Sequence, residues 1–163
     1  RRYLLEDTDM KYLKYDLYEK ASAPGGKIYE AQWNDQLTQY YAEFNSFAYR
    51  LPKRFVKEMN EHDMHDCTVK NILIERKKWK KYDVEIHLTD YSDDNIEHMI
   101  KLINVNVFKS DLDFRMSGIS DWIYCELLAI DDKRMSLEVI LFDESSIYCE
   151  FSKLQYKKFQ VNN

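Results

Sequence analysis

Apolar residues change their spacing once along this chain, and the change divides it in two. Trp33, Leu37, Tyr40, Tyr41, Phe44, Phe47 and Ala48 recur at intervals of three and four, which gathers them onto one face of a helix of about four to five turns. Upstream, Tyr12, Leu13, Tyr15, Leu17 and Tyr18 form a shorter stripe. It starts at a Thr8 or Asp9 cap and stops where Ala23-Pro24-Gly25-Gly26 breaks the pattern. Downstream, Pro52 suits a first helical turn, and Phe55, Val56 and Met59 carry an apolar face to about Asn60. Three helices are expected over residues 10–60.

Beyond Cys67 the period falls to two. Val69, Ile72 and Ile74 begin a β-branched run, and Val84, Ile86 and Leu88 alternate with Asp83, Glu85, His87 and Thr89 as in a half-buried strand. Further strands are predicted over Met99–Phe108, Trp122–Ile130, Met135–Phe142 and Ile147–Phe151. The links between them are short and polar, whereas a parallel crossover needs about a dozen residues or more, so neighbours should be antiparallel. The expected fold is α+β: three N-terminal helices packed on an antiparallel β-meander of about six strands. It reads as a single domain over 10–163, helical over 10–60 and β-rich over 67–159. Met10 reads as the natural start, and residues 1–9 as an appended or upstream segment.

Composition narrows the chemistry. The chain has 163 residues, 45% hydrophobic and 33% charged, which suits a folded single domain. Its three glycines (Gly25, Gly26, Gly118) cannot build a phosphate loop or a dinucleotide turn. A formal charge of −5 gives no general attraction to nucleic acid. No apolar run reaches the roughly 18 residues that span a bilayer, and no signal-peptide core opens the chain, so no membrane contact and a cytoplasmic location are expected. Cys67, Cys125 and Cys149 form no CxxC pair and read as reduced thiols, the last two as small buried hydrophobes.

The densest set of metal-ligand types is Glu61-His62-Asp63-Met64-His65-Asp66-Cys67. A helix running through it would put His62 and His65 on one face with Asp66 and Cys67 nearby, a possible metal set. The segment is also the junction from helix to strand, without an HExxH pattern, and the alternative is that His65 or Asp66 binds free backbone groups at the helix exit. Asp90-Tyr91-Ser92-Asp93-Asp94 resembles a calcium loop until Asn95 and Lys101 fall where glycine and a bidentate carboxylate are required, so a solvated acidic hairpin loop is expected. In the basic run Arg76–Lys81, the residues Lys77, Lys78, Trp79 and Lys80 could meet phosphate and stack on a base, meet an acidic protein surface, or simply keep a hairpin tip from pairing. Glu126, Glu138 and Glu150 fall at alternate strand positions and could meet across strands for acid–base work, or face solvent. No GxSxG elbow is present. Thirteen tyrosines supply the rigid, polar-tipped contact area that protein-binding patches use, although a place at the rim of the core accounts for most of them.

The order of several segments resembles a known family. Met10-Lys11-Tyr12-Leu13 with Tyr18-Glu19, then Leu51-Pro52-Lys53-Arg54-Phe55-Val56, then Met64-His65-Asp66-Cys67-Thr68-Val69, is similar to the uncharacterised bacterial proteins grouped as domain of unknown function 4085. Met64 stands where the family has Leu, and Cys67 where it has Ser or Ala; the resemblance covers most of Met10 to Phe159. It implies the same helices-then-strands order and no chemistry. The functional expectation is a non-catalytic protein-binding module with a protein partner and no cofactor, in its most concrete form an immunity-type protein that holds a toxin inactive. The competing expectation is a metal-dependent hydrolase centred on His62, His65 and Asp66, with Cys67.

Overall fold

The period-two segments fold into two four-stranded antiparallel sheets rather than one meander. The computed structural model describes residues 10–78, 81–112 and 120–161. The first sheet has the order β1-β2-β3-β8, built from Thr68–Lys78, Lys81–Thr89, Ile96–Val105 and Lys153–Gln160. The second has the order β4-β7-β6-β5, built from Val107–Ser110, Ser146–Phe151, Met135–Leu141 and Trp122–Ala129. The α+β class with three helices ahead of the strands stands, but among the described residues there are eight strands where about six were expected.

The two extra strands have one cause. The run expected as a single strand, Met99–Phe108, bends at Asn106 and passes from the first sheet to the second. The run after Ile147 bends at Ser152 and passes back, and its continuation, Lys153–Gln160, is too rich in Lys and Gln to read as a strand. The two bends are bonded together: Ser152 N–H donates to the Ile103 carbonyl at 3.0 Å and Asn106 N–H to the Glu150 carbonyl at 3.0 Å. Asn104 takes the left-handed conformation (φ 56°) that asparagine tolerates, and its side chain reaches the Ser152 hydroxyl at 3.1 Å.

The helices are α1 (Tyr15–Ser22), α2 (Lys27–Phe47) and α3 (Lys53–Glu61), with one 3-10 turn at Ala48–Arg50. Helix α2 starts six residues before the expected Trp33, immediately after Gly26, and buries Trp33, Tyr40, Phe44 and Phe47, each worth about 1.5–3 kcal/mol of transfer free energy. Helix α1 starts later than its stripe suggests, because Met10–Leu13 is drawn into another role. The backbone N–H groups of Lys11, Tyr12 and Leu13 all donate to the buried Glu126 carboxylate of β5, at 2.7, 2.6 and 2.5 Å. The expected caps, Thr8 and Asp9, lie outside the described residues. The phenol of Tyr40 accepts the Leu127 N–H at 3.1 Å, so α2 covers the open edge of β5.

In the first sheet, Val84, Ile86, Leu88, Ile100, Leu102 and Leu154 point to one side and are buried. They merge with Leu127, Leu137, Val139, Ile147, Cys149 and Phe151 of the second sheet and with the helical residues into one core. Strand β6 is buried at every position. The other side of the first sheet carries Glu85, His87, Lys101 and Lys157, with Leu73 at its margin.

Candidate functional site

The helix-to-strand junction is a tight turn made without glycine. Asp63, Met64 and Asp66 all have positive φ (45°, 61° and 64°), a conformation rare for methionine. Burial of Met64 in the core and two main-chain bonds to the start of β5, Asp66 N–H to Trp122 O at 2.9 Å and Trp122 N–H to Cys67 O at 2.8 Å, hold the turn in place. The residue that catches free backbone is Asp63, whose Oδ1 accepts the His65 N–H at 3.2 Å, rather than the expected His65 or Asp66.

This geometry keeps His65 and Asp66 side by side but does not bring the four expected metal ligands together as one set. His62 is exposed, and the His65 ring stands edge-on to Tyr124 with centroids 5.0 Å apart. Its Nδ1 lies 2.8 Å from Asp66 Oδ1, but off hydrogen-bond alignment, so that atom is buried without a matched partner. Cys67 is buried on the opposite side of the junction, where it feels Asp90, Glu58 and Lys158, and burial pushes its thiol up to about 11. All three cysteines are free and buried.

Cys67 thereby marks a cluster that composition alone does not announce. Among the described residues, the single group of His, Cys or carboxylate side chains whose ligand atoms all lie within 4.8 Å of one another is Glu58, Asp90 and His98, all buried. Three elements deliver it. In α3, Glu58 follows Phe55 by three residues and so shares its inward face. In β3, His98 precedes Ile100 and Leu102 in the same inward phase, and it pairs across the sheet with Leu88 and Lys158. Asp90 sits one residue beyond β2, at the mouth of the β2–β3 turn.

The hydrogen bonds are complete. Asp90 Oδ1 accepts the Ser92 N–H at 2.9 Å and hydroxyl at 2.7 Å, while Asp90 Oδ2 lies 2.8 Å from His98 Nε2. The Tyr156 hydroxyl is 2.7 Å from His98 Nδ1. Lys158 Nζ stands 2.9 Å from Glu58 Oε1 and 3.3 Å from Asp90 Oδ2. Burial acts to raise the Asp90 carboxyl, but Ser92, His98 and Lys158 together hold it well below the usual carboxylate range. Burial keeps the His98 imidazolium disfavoured, against the pull of Asp90. For Lys158 burial works downward, and Glu58 and Asp90 outweigh it to raise the ammonium. Asp90 is therefore not the solvated loop residue expected, although Asp93 does make an ordinary turn, accepting the Asn95 N–H at 2.9 Å.

The remaining candidates fall elsewhere. Lys77 lies 2.6 Å from Glu75 and 4.0 Å from Asp83, Lys78 ends β1, and Trp79 and Lys80 lie outside the described residues. The charge of Lys77 is thus met within its own hairpin. Glu126, Glu138 and Glu150 do share one face of the second sheet, with Glu126 directly opposite Glu138. Glu126 is taken up by three N–H groups, and Glu150 by Tyr148 at 3.1 Å and Arg134 at 3.4 Å. Of the tyrosines, Tyr12, Tyr15, Tyr18, Tyr41, Tyr124 and Tyr156 pack at the core rim, Tyr40 is buried, and Tyr29, Tyr49, Tyr82 and Tyr91 are exposed. On the outer face of the first sheet, a groove of about 250 Å³ is lined by Leu73, Ile74, Glu75, Asp83, Glu85 and Lys101. Among the described residues no helix is long and apolar enough to cross a membrane. Comparisons with family models, with curated proteins and with solved structures gave no match.

Proposed function

We propose that this chain is a non-catalytic protein-binding module, and that its partner docks on the β1–β2 hairpin and the outer face of the first sheet. The observation that supports this reading is the exposure of two neighbouring apolar residues of the edge strand β1: Leu73, at 53%, on the outer face beside the groove between β1, β2 and β3, and Ile74, at 52%, whose side chain leaves the same edge on the other side. Charge gives the partner its chemistry. In the lining of the groove Glu75, Asp83 and Glu85 outnumber Lys101, whereas the hairpin beyond it carries Arg76, Lys77 and Lys81, so the matching surface offers apolar side chains with basic groups over the groove and acidic ones against the hairpin. The most concrete form of the role is neutralisation of a toxic protein by occlusion. The resemblance to domain of unknown function 4085 brings no activity that competes with it.

The test uses the intact chain as bait against extract of its source cell, beside Leu73→Asp/Ile74→Asp. The wild type should retain one protein at fixed stoichiometry, and the double variant should lose at least about tenfold in affinity with its melting temperature nearly unchanged, since both positions are exposed. Retention of the same proteins by both baits, or of none by the wild type, overturns the reading. In the neutralising form, the captured protein stops growth when expressed alone and not when expressed with this chain.

A further inference from the structure

We propose that the buried end of the first sheet is a binding site for a first-row divalent metal ion of the zinc type, with Glu58, Asp90 and His98 as ligands and the Lys158 ammonium as the resident cation that the metal displaces. The ligand atoms of the three residues already converge within 4.8 Å of one another from α3, the β2–β3 turn and β3. Their far sides are held. Ser92 binds Asp90 Oδ1 through its N–H and hydroxyl at 2.9 and 2.7 Å, and the Tyr156 hydroxyl meets His98 Nδ1 at 2.7 Å. Asp90 Oδ2, His98 Nε2 and Glu58 Oε1 point inward, the first two sharing one proton at 2.8 Å; the ion takes that proton's place on Nε2, and the imidazole stays neutral by carrying its proton on Nδ1, where the Tyr156 hydroxyl accepts it. A ring nitrogen oriented by a partner on its other nitrogen, and a carboxylate fixed by its second oxygen, are the outer supports that metal ligands ordinarily have.

The place where those atoms point is already a cation position. Lys158 Nζ lies 2.9 Å from Glu58 Oε1 and 3.3 Å from Asp90 Oδ2, and it neutralises only one of the two carboxylates. A doubly charged ion would neutralise both. Lys158 can vacate the position without leaving its strand, because 24% of its side chain already meets solvent and its long stem can carry the ammonium into water. The same opening admits the ion and leaves a fourth coordination position for water. One imidazole with two carboxylates suits zinc, manganese or iron, whereas calcium requires about six to eight oxygens that this site does not supply.

The experiment titrates untagged, chelator-stripped protein with zinc sulfate against a chromophoric zinc chelator, and follows folding by circular dichroism. Wild type should take up one zinc ion per chain, Lys158→Met at least about tenfold more tightly, and Tyr156→Phe about tenfold more weakly. His98→Gln should lose the ion in the wild-type and the Lys158→Met backgrounds alike. Cobalt substituted into Lys158→Met should give the visible absorption of a four-coordinate site. Zinc that stays on His98→Gln belongs to surface histidines such as His62 and overturns the proposal. Folded Lys158→Met with no stoichiometric zinc also overturns it; should that variant not fold, wild type that takes up no zinc at millimolar metal does the same.

Discussion

Two groups of buried carboxylates lie in one core and are satisfied in opposite ways. Glu126 receives three consecutive main-chain N–H groups from Lys11, Tyr12 and Leu13, so its partners are part of the backbone and have nowhere else to go. Glu58 and Asp90 are satisfied largely by side chains, and their only positive partner among the described residues, Lys158, sits on a flexible stem with a quarter of its surface in water. The first arrangement is a tether. The second can exchange its occupant. The difference teaches that burial of charge alone says little about role; whether the partner can leave decides between structure and binding.

Substitutions sharpen this contrast. Glu126→Ala strands three N–H groups and releases Met10–Leu13 from β5; a loss of about 3 kcal/mol in urea-melt stability is expected, with Glu126→Gln near half of that. A loss under about 1 kcal/mol would mean water replaces the carboxylate and the tether is no tether. Lys158→Met in metal-free buffer should cost less, about 2 kcal/mol, because the ammonium is partly solvated and Asp90 keeps its bonds from Ser92 and His98. Zinc should recover this loss and leave that of Glu126→Ala unchanged. The smallest effect concerns Asp63, a half-buried acid whose oxygens, among the described residues, accept the His65 N–H and, at 3.4 Å, the Tyr41 hydroxyl. Burial raises its carboxyl, against His65 and Tyr41 and with Asp66. The folded chain therefore binds this proton more tightly than the unfolded one, and stability falls as pH rises from the ordinary carboxylate value of about 4 through the raised one. Asp63→Asn, which also suits the positive φ, should be more stable than wild type by about 0.5 kcal/mol at neutral pH and equal to it near pH 3.

Much of the architecture is legible in the chain. Interval-three-and-four spacing marks α2 and α3, and alternation marks β2, because the faces of those elements differ sharply in polarity. The bends at Asn106 and Ser152 are not legible, since a strand that changes sheets keeps its alternation and only long-range pairing reveals the corner. The late start of α1 follows from Glu126, more than a hundred residues away. The cluster is half legible. Glu58 stands at the inward spacing after Phe55, and His98 continues the phase of Ile100 and Leu102 backwards, so both signal a polar group in an apolar row. Asp90 and Lys158 give no such sign: one is in a loop, the other in a strand whose lysines hide its pattern. The run from His62 to Cys67 is dense in ligand types, but with positive φ at three of its positions only His65 and Asp66 stay together, and Cys67 is buried away from the exposed His62.

The pairing of β3 with β8 joins residues 96–103 to residues 153–160. During synthesis the first three strands and α3 are therefore outside the ribosome well before the strand that completes their sheet. Glu58 and Asp90 meet their counter-charge only when Lys158 emerges, and until then the inner row of that sheet lacks Leu154 and Tyr156 as well. A nascent chain that ends before β8 lacks both this counter-charge and the apolar Leu154, and closure of the sheet should come late, as expected where contacts distant in sequence govern the rate.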